Sequence, residues 1–112
     1  MKSNNPTIAW SEVLKKHKTQ TAVQFVENKL VSIICSPEQN QIIGEDKIIF
    51  SIPNKKQYFK TIAAMQNCVE SNPDINVFIK KDKNVWIDAG FYKLVSFIST
   101  ESHIDFAFQK IN

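Results

Sequence analysis

Residues 76 to 97 read Asn-Val-Phe-Ile-Lys-Lys-Asp-Lys-Asn-Val-Trp-Ile-Asp-Ala-Gly-Phe-Tyr-Lys-Leu-Val-Ser-Phe. Two runs rich in β-branched and aromatic residues flank a basic turn, which is the pattern of paired strands. The second run is broken by Asp88-Ala89-Gly90. Aspartate and glycine are disfavoured inside strands, so a kink is expected there. Such a kink gathers Trp86, Asp88 and Tyr92 into a candidate site, and nothing else in the chain looks so much like one.

The pattern extends to both sides. Pro6-Thr7 can open a helix, and Trp10, Val13 and Leu14 fall at i, i+3 and i+4 with Lys15, Lys16 and Lys18 mostly away from them, predicting an amphipathic helix over 8–18. Strands are expected over 21–26, 30–35 and 47–52, with 41–43 as a shorter continuation. Asn28-Lys29, Ser36 to Asn40 and Gly44-Glu45-Asp46 supply the breaks. Residues 55–71 carry the clearest helical period, with Tyr58, Ile62, Met65 and Val69 recurring at steps of four, three and four. Asn72-Pro73 ends that helix, because the residue before proline avoids helical backbone. Strands over 75–80, 85–98 and 104–111 follow. Helices do not alternate regularly with the strands, so the fold class is α+β: a bent, mostly antiparallel sheet or partial β-barrel with two helices.

A chain of 112 residues predicts one domain, residues 1–112, with a flexible terminus over 1–6. Its formal net charge is +3, and all 14 basic residues are lysines. Arginine is the usual bidentate reader of guanine edges, so the absence of arginine argues against a major-groove reader, while lysine still neutralises phosphates. Residues 1–6 lack the apolar core of a secretory leader, and no run is long enough to span a membrane. The expected location is cytoplasmic, with Cys35 and Cys68 reduced and buried.

The chemistry-bearing residues exclude more than they assign. The two cysteines have no histidine at zinc-like spacing, so no metal and no cofactor is expected. His17 follows two lysines and reads as solvated; His103 reads as part of a hairpin loop. Cys35 with His103 is a conceivable nucleophile and base, but nothing around Cys35 lowers a thiol pKa. Glu27-x-Lys29 and Glu45-x-Lys47 have nuclease-like spacing but fall in turns, and the only glycines, Gly44 and Gly90, build no phosphate loop. No catalytic residue is expected. Two lysine clusters remain: Lys55, Lys56 and Lys60 beside Tyr58 and Phe59, and Lys80, Lys81 and Lys83 beside Phe78 and Trp86. Charge for the backbone and ring faces for bases are what a binder of single strands or flipped bases needs.

The run Asp88-Ala89-Gly90-Phe91-Tyr92-Lys93-Leu94-Val95, with the later strand Ile104 to Gln109, resembles the SRA or YDG domain, a PUA-like barrel. The strand Ile75 to Lys80 and the helix before it are similar to that family's as well, so the resemblance spans about residues 55–111. Here Ala89 stands between the aspartate and the glycine, and Ile87 stands where the family has tyrosine. The resemblance implies a non-catalytic reader of nucleic acid, of modified DNA, in a restriction or defence system. It also implies that Asp88 meets the Watson–Crick edge of a flipped base, with Tyr92 and Trp86 as stacking faces. The nucleic-acid-binding set is then Lys55, Lys56, Lys80, Lys81, Lys83, Trp86, Asp88 and Tyr92, and the partner is modified or single-stranded DNA. The alternative is a small protein-interaction module, an inhibitor or a subunit of a complex, marked by an exposed apolar patch instead of a basic concave one.

Overall fold

The computed structural model describes residues 7–19, 21–37, 41–43 and 46–111. The expected flexible terminus, the Glu38-Gln39-Asn40 part of the break and the Gly44-Glu45 part of the turn lie outside them. The described strands are β1 (Thr7–Ile8), β2 (Val23–Val26), β3 (Lys29–Cys35), β4 (Gln41–Ile43), β5 (Lys47–Pro53), β6 (Ile75–Asp82), β7 (Val85–Ser99) and β8 (His103–Lys110). The helices are α1 (Trp10–Val13) and α2 (Phe59–Ser71), the latter entered through a 3-10 turn at Lys56–Tyr58. The strands form one sheet in the order β2-β3-β6-β7-β8-β5-β4, with β1 added against β7. The sheet is mostly antiparallel and curls into an open half-barrel, the expected α+β class. One pair departs from antiparallel order: β3 runs parallel to β6, with Ser32 opposite Asn76 and Cys35 opposite Ile79.

Alternation along the strands sorts side chains to two faces. The inner face carries Leu30, Ile33, Ile48, Phe50, Val77, Leu94, Phe106 and Phe108, and α2 lays Ile62, Met65 and Cys68 on it. The helix stops where the periodic pattern stops. Asn72 takes a left-handed φ of 54° and returns its N–H to the Cys68 carbonyl at 2.8 Å, closing the last turn before Pro73. On the outer face a smaller cluster, Val13, Phe78 and Trp86, is covered by Ile8, Trp10 and Ile34.

Two elements differ from expectation. The helix predicted over 8–18 is a single turn, Trp10–Val13, preceded by β1, which pairs Ile8 with Trp86. The lysine-rich half continues as hydrogen-bonded turns over 14–16, and His17 behind them is buried against Ser32 of β3. The β2–β3 turn sits one residue earlier than predicted: Glu27 and Asn28 carry φ of 51° and 68°, the paired positive values of a two-residue hairpin turn. No helix among the described residues is long and apolar enough to cross a membrane.

Candidate nucleic-acid interface

The Asp88-Ala89-Gly90 kink is a β-bulge. Phe78 pairs with Asp88 and Val77 with Gly90, so Ala89 is an extra residue on β7. Gly90 has a φ of +92°, a conformation that side-chain-bearing residues rarely adopt. The bulge also explains why Trp86, Asp88 and Tyr92 do not gather. Even spacing would put all three on one face of a regular strand, but the added residue moves Tyr92 to the other. Trp86 lies in the outer cluster, 8% exposed and 5.0 Å from the Trp10 ring. Tyr92 lies in the inner core, 2% exposed.

Asp88 stays on the outer face. Its Oδ1 accepts the Asn76 side-chain N–H at 2.8 Å and the Gly90 N–H at 3.1 Å; its Oδ2 accepts from Lys16 Nζ at 3.0 Å. Asn76 donates again to the Gly90 carbonyl at 3.1 Å. Burial pushes the carboxyl up, but the donors from Asn76, Lys16 and Gly90 and the charge of Lys16 outweigh it and hold it below its ordinary value. The arrangement clasps the bulge from both strands. Beside it opens a cleft of about 460 Å³ lined by Ile8, Glu12, Lys16, Phe78, Asp88, Gly90 and Phe91.

The two lysine clusters lie at opposite ends of β7. Lys80, Lys81 and Lys83 surround the β6–β7 turn and, with Ser36, Pro37 and Asp82, line a polar recess of about 360 Å³. Asp82 Oδ1 accepts the Lys83 N–H at 2.7 Å and stiffens that turn. The rings expected beside these lysines, Phe78 and Trp86, are both buried. Lys55 and Lys56 are exposed just past Pro53, which pairs with His103 beside the far end of β7.

One cavity is lined by residues that the site set expected from the sequence leaves out. A pocket of about 590 Å³ opens at the half-barrel's mouth, where the β2–β3 edge faces the end of β5 beneath the start of α2. Phe25, Phe50 and Tyr58 bring rings to its wall; Thr21, Ser51, Gln57 and Thr61 bring uncharged polar groups. The size and the mixture of apolar wall with a few polar groups suit a small organic ligand, for which sites run to ~300–1,000 Å³. The signal in the sequence was Gln57-Tyr58 directly after Lys55-Lys56. The missing half was the contribution of β2 and β5 from distant parts of the chain.

The other candidates resolve simply. His17, read as solvated, is fully buried, with Nδ1 2.6 Å from Ser32 Oγ and Nε2 2.7 Å from the Thr21 carbonyl. His103 stands at the start of β8, its Nε2 3.3 Å from Asp105 Oδ1. Cys35 and Cys68 are free and buried, and burial pushes the Cys35 thiol up to about 12, so it carries no nucleophilic thiolate. No group of three or more potential metal-ligating side chains comes together among the described residues.

No protein-family model and no curated protein matches the sequence. Solved structures do. An SRA domain of SUVH5 in a complex with methylated CHH DNA superposes with a TM-score of 0.73 at 17% identity, over 92% of this chain and 83% of that one. The SUVH5 SRA domain on hemi-methylated CG DNA gives 0.73 at 15%, over 99% and 91%. SUVH6 of Arabidopsis thaliana, in complex with SAM, gives 0.74 at 11%, over 95% of this chain and 25% of that one. The fold is SRA-like, and the likeness covers nearly the whole chain where the sequence resemblance reached only residues 55–111.

Proposed function

We propose that this chain is a non-catalytic reader of nucleic acid that receives an extrahelical, modified base of duplex DNA. The observation that carries the reading is the ring-lined pocket of about 590 Å³, placed beside Lys55 and Lys56 on a fold otherwise seen in complexes with methylated DNA. A base turned out of its stack needs an apolar, aromatic slot with a few hydrogen-bonding groups, and lysines at the rim hold the phosphates that flank it. Tyr58 at the rim is the stacking face, and Gln57 has both a donor and an acceptor for the base edge. Lys80, Lys81 and Lys83 act on the backbone as point charges. Asp88, Trp86 and Tyr92 support this site as scaffold, since each is engaged in the sheet.

Titration with duplexes carrying one modified or unmodified cytosine, and with single strands, at two salt concentrations tests it. The modified duplex is expected to bind tightest, and Tyr58→Ala to lose roughly 1–3 kcal/mol of that preference. Undetectable binding at low salt would overturn the reading. Lost binding in Asp88→Asn, with stability kept and Tyr58→Ala neutral, would move the base site to the Asp88 cleft.

One observation favours a second reading, a protein-interaction module. Val95 and Ile98, near the end of β7, are 49% and 67% exposed, large apolar side chains outside both lysine clusters. Failure to bind any nucleic acid, with self-association or a protein partner lost in Ile98→Ser, would favour it.

A further inference from the structure

We propose that Gln57 makes the ring-lined pocket indifferent to the pairing edge of its base. The pocket then selects for an apolar 5-substituent and takes 5-substituted uracils, thymine included, as readily as 5-substituted cytosines. The inference rests on the reading above, that the pocket receives a base, and deepens it by naming the ligand class.

Cytosine and uracil differ at the edge where they pair. Cytosine presents an amino donor beside a bare ring nitrogen; uracil presents a carbonyl acceptor beside a ring N–H. A site tells the two apart through a group of fixed polarity, which the wrong edge leaves unpaired. A carboxylate only accepts and an ammonium only donates, whereas a side-chain amide or a hydroxyl does both.

The carboxylate that the sequence resemblance assigns to the base edge, Asp88, is not at this pocket. It clasps the bulge on the outer face with Asn76, Gly90 and Lys16. The described polar side chains that line the pocket are Thr21, Ser51, Gln57, Tyr58 and Thr61, all uncharged groups at neutral pH. Two of their hydroxyls are engaged within the fold: Thr21 donates to the Val23 carbonyl at 2.8 Å, and Ser51 donates to Asp105. Ser51 alternates with the buried Phe50 and Ile52, so its hydroxyl and Asp105 belong to the outer face of the sheet. On the β2 side, the Thr21 carbonyl is held by His17 Nε2 and the Ala22 carbonyl by the Ile34 N–H. The base edge is left to Gln57 and Thr61, one helical turn apart at the start of α2, with the Tyr58 hydroxyl beside them. Each can donate or accept. Gln57 is exposed, so turning its amide over exchanges donor for acceptor without disturbing the core.

A 5-substituent meets a wall of the other kind. Val23, Phe25, Ile34, Phe50 and Ile52 are apolar and lie on strands. A methyl group moved from water onto them gains roughly fourfold in affinity.

The test uses fluorescent oligodeoxynucleotides whose sugars all lack a base except the central one, which removes the cost of opening a pair. The central base is 5-methylcytosine, thymine, cytosine or uracil, and a wholly base-free strand is the control. By anisotropy at low salt, 5-methylcytosine and thymine should bind within about threefold of each other, and each roughly fourfold tighter than its unmethylated partner. Gln57→Glu supplies a fixed acceptor at an exposed position, and should favour 5-methylcytosine over thymine by about tenfold or more. A wild type that prefers either methylated base by about tenfold would overturn the inference while keeping the base reading. So would methylated strands no tighter than unmethylated ones, or a Gln57→Glu ratio equal to wild type. Strands that bind no better than the base-free control would remove the base reading itself, and this inference with it.

Discussion

Asp88→Asn takes away the charge that Lys16 pairs with and weakens a carboxylate that holds two strands together. The variant should lose about 1–3 kcal/mol in a denaturant melt at neutral pH. The carboxyl sits below its ordinary value of 3.8 when folded, so its contribution is present above that value and lost as pH falls through the lower folded one. The gap between wild type and Asp88→Asn should therefore narrow in melts below about pH 4. Trp86→Ala, which empties a site packed against Trp10 and Phe78, should cost about 3–5 kcal/mol; a loss under about 1 kcal/mol would mean that the outer cluster is not a core. The kink itself was legible, because Asp-Ala-Gly rarely sits in a regular strand. Which face Tyr92 would take was not, since one unpaired residue reverses the parity and only the partner strand shows it. His17 was illegible for a similar reason: Lys15, Lys16 and Lys18 suggest solvent, and Ser32 lies on another strand.

At the level of elements, α2 was the most readable part of the chain because its period needs no knowledge of its partners. Ile62, Met65 and Cys68 are buried on the sheet while Phe59 is 52% exposed. Ile62→Ala should cost about 2–4 kcal/mol, and Phe59→Ala should fall within about 0.5 kcal/mol of wild type, both read from thermal or urea melts. Cys35 and Cys68 should label slowly in the native protein and rapidly in denaturant. Fast native labelling of Cys35 would contradict its burial in the inner core. The first helix was overread because Trp10, Val13 and Leu14 match one helical turn, and one turn is all that forms. The start of α2 was overread by a few residues, since Lys56–Tyr58 winds more tightly than an α-helix.

For the whole molecule, a basic surface made only of lysines predicts binding governed by counterion release more than by geometry. In Lys80→Gln, Lys81→Gln and Lys83→Gln combined, the slope of log K against log salt should flatten by about 0.7–0.9 for each phosphate that is no longer neutralised. Any preference for the modified base should survive. A slope equal to wild type would assign the phosphate-binding role to Lys55 and Lys56 instead. The parallel pairing of β3 with β6 also dictates the order in which the molecule can assemble. The partners are separated by residues 36–74, which contain β4, β5 and all of α2, so a long loop must close before the pair is rewarded. The β6-β7-β8 meander closes through short turns and can form first. Phe106→Leu in the meander should then slow refolding, whereas Leu30→Ala in β3 should leave the refolding rate nearly unchanged and speed unfolding. Until that late step the β6 edge stays unpaired, and a chain arrested there would meet its neighbours through it.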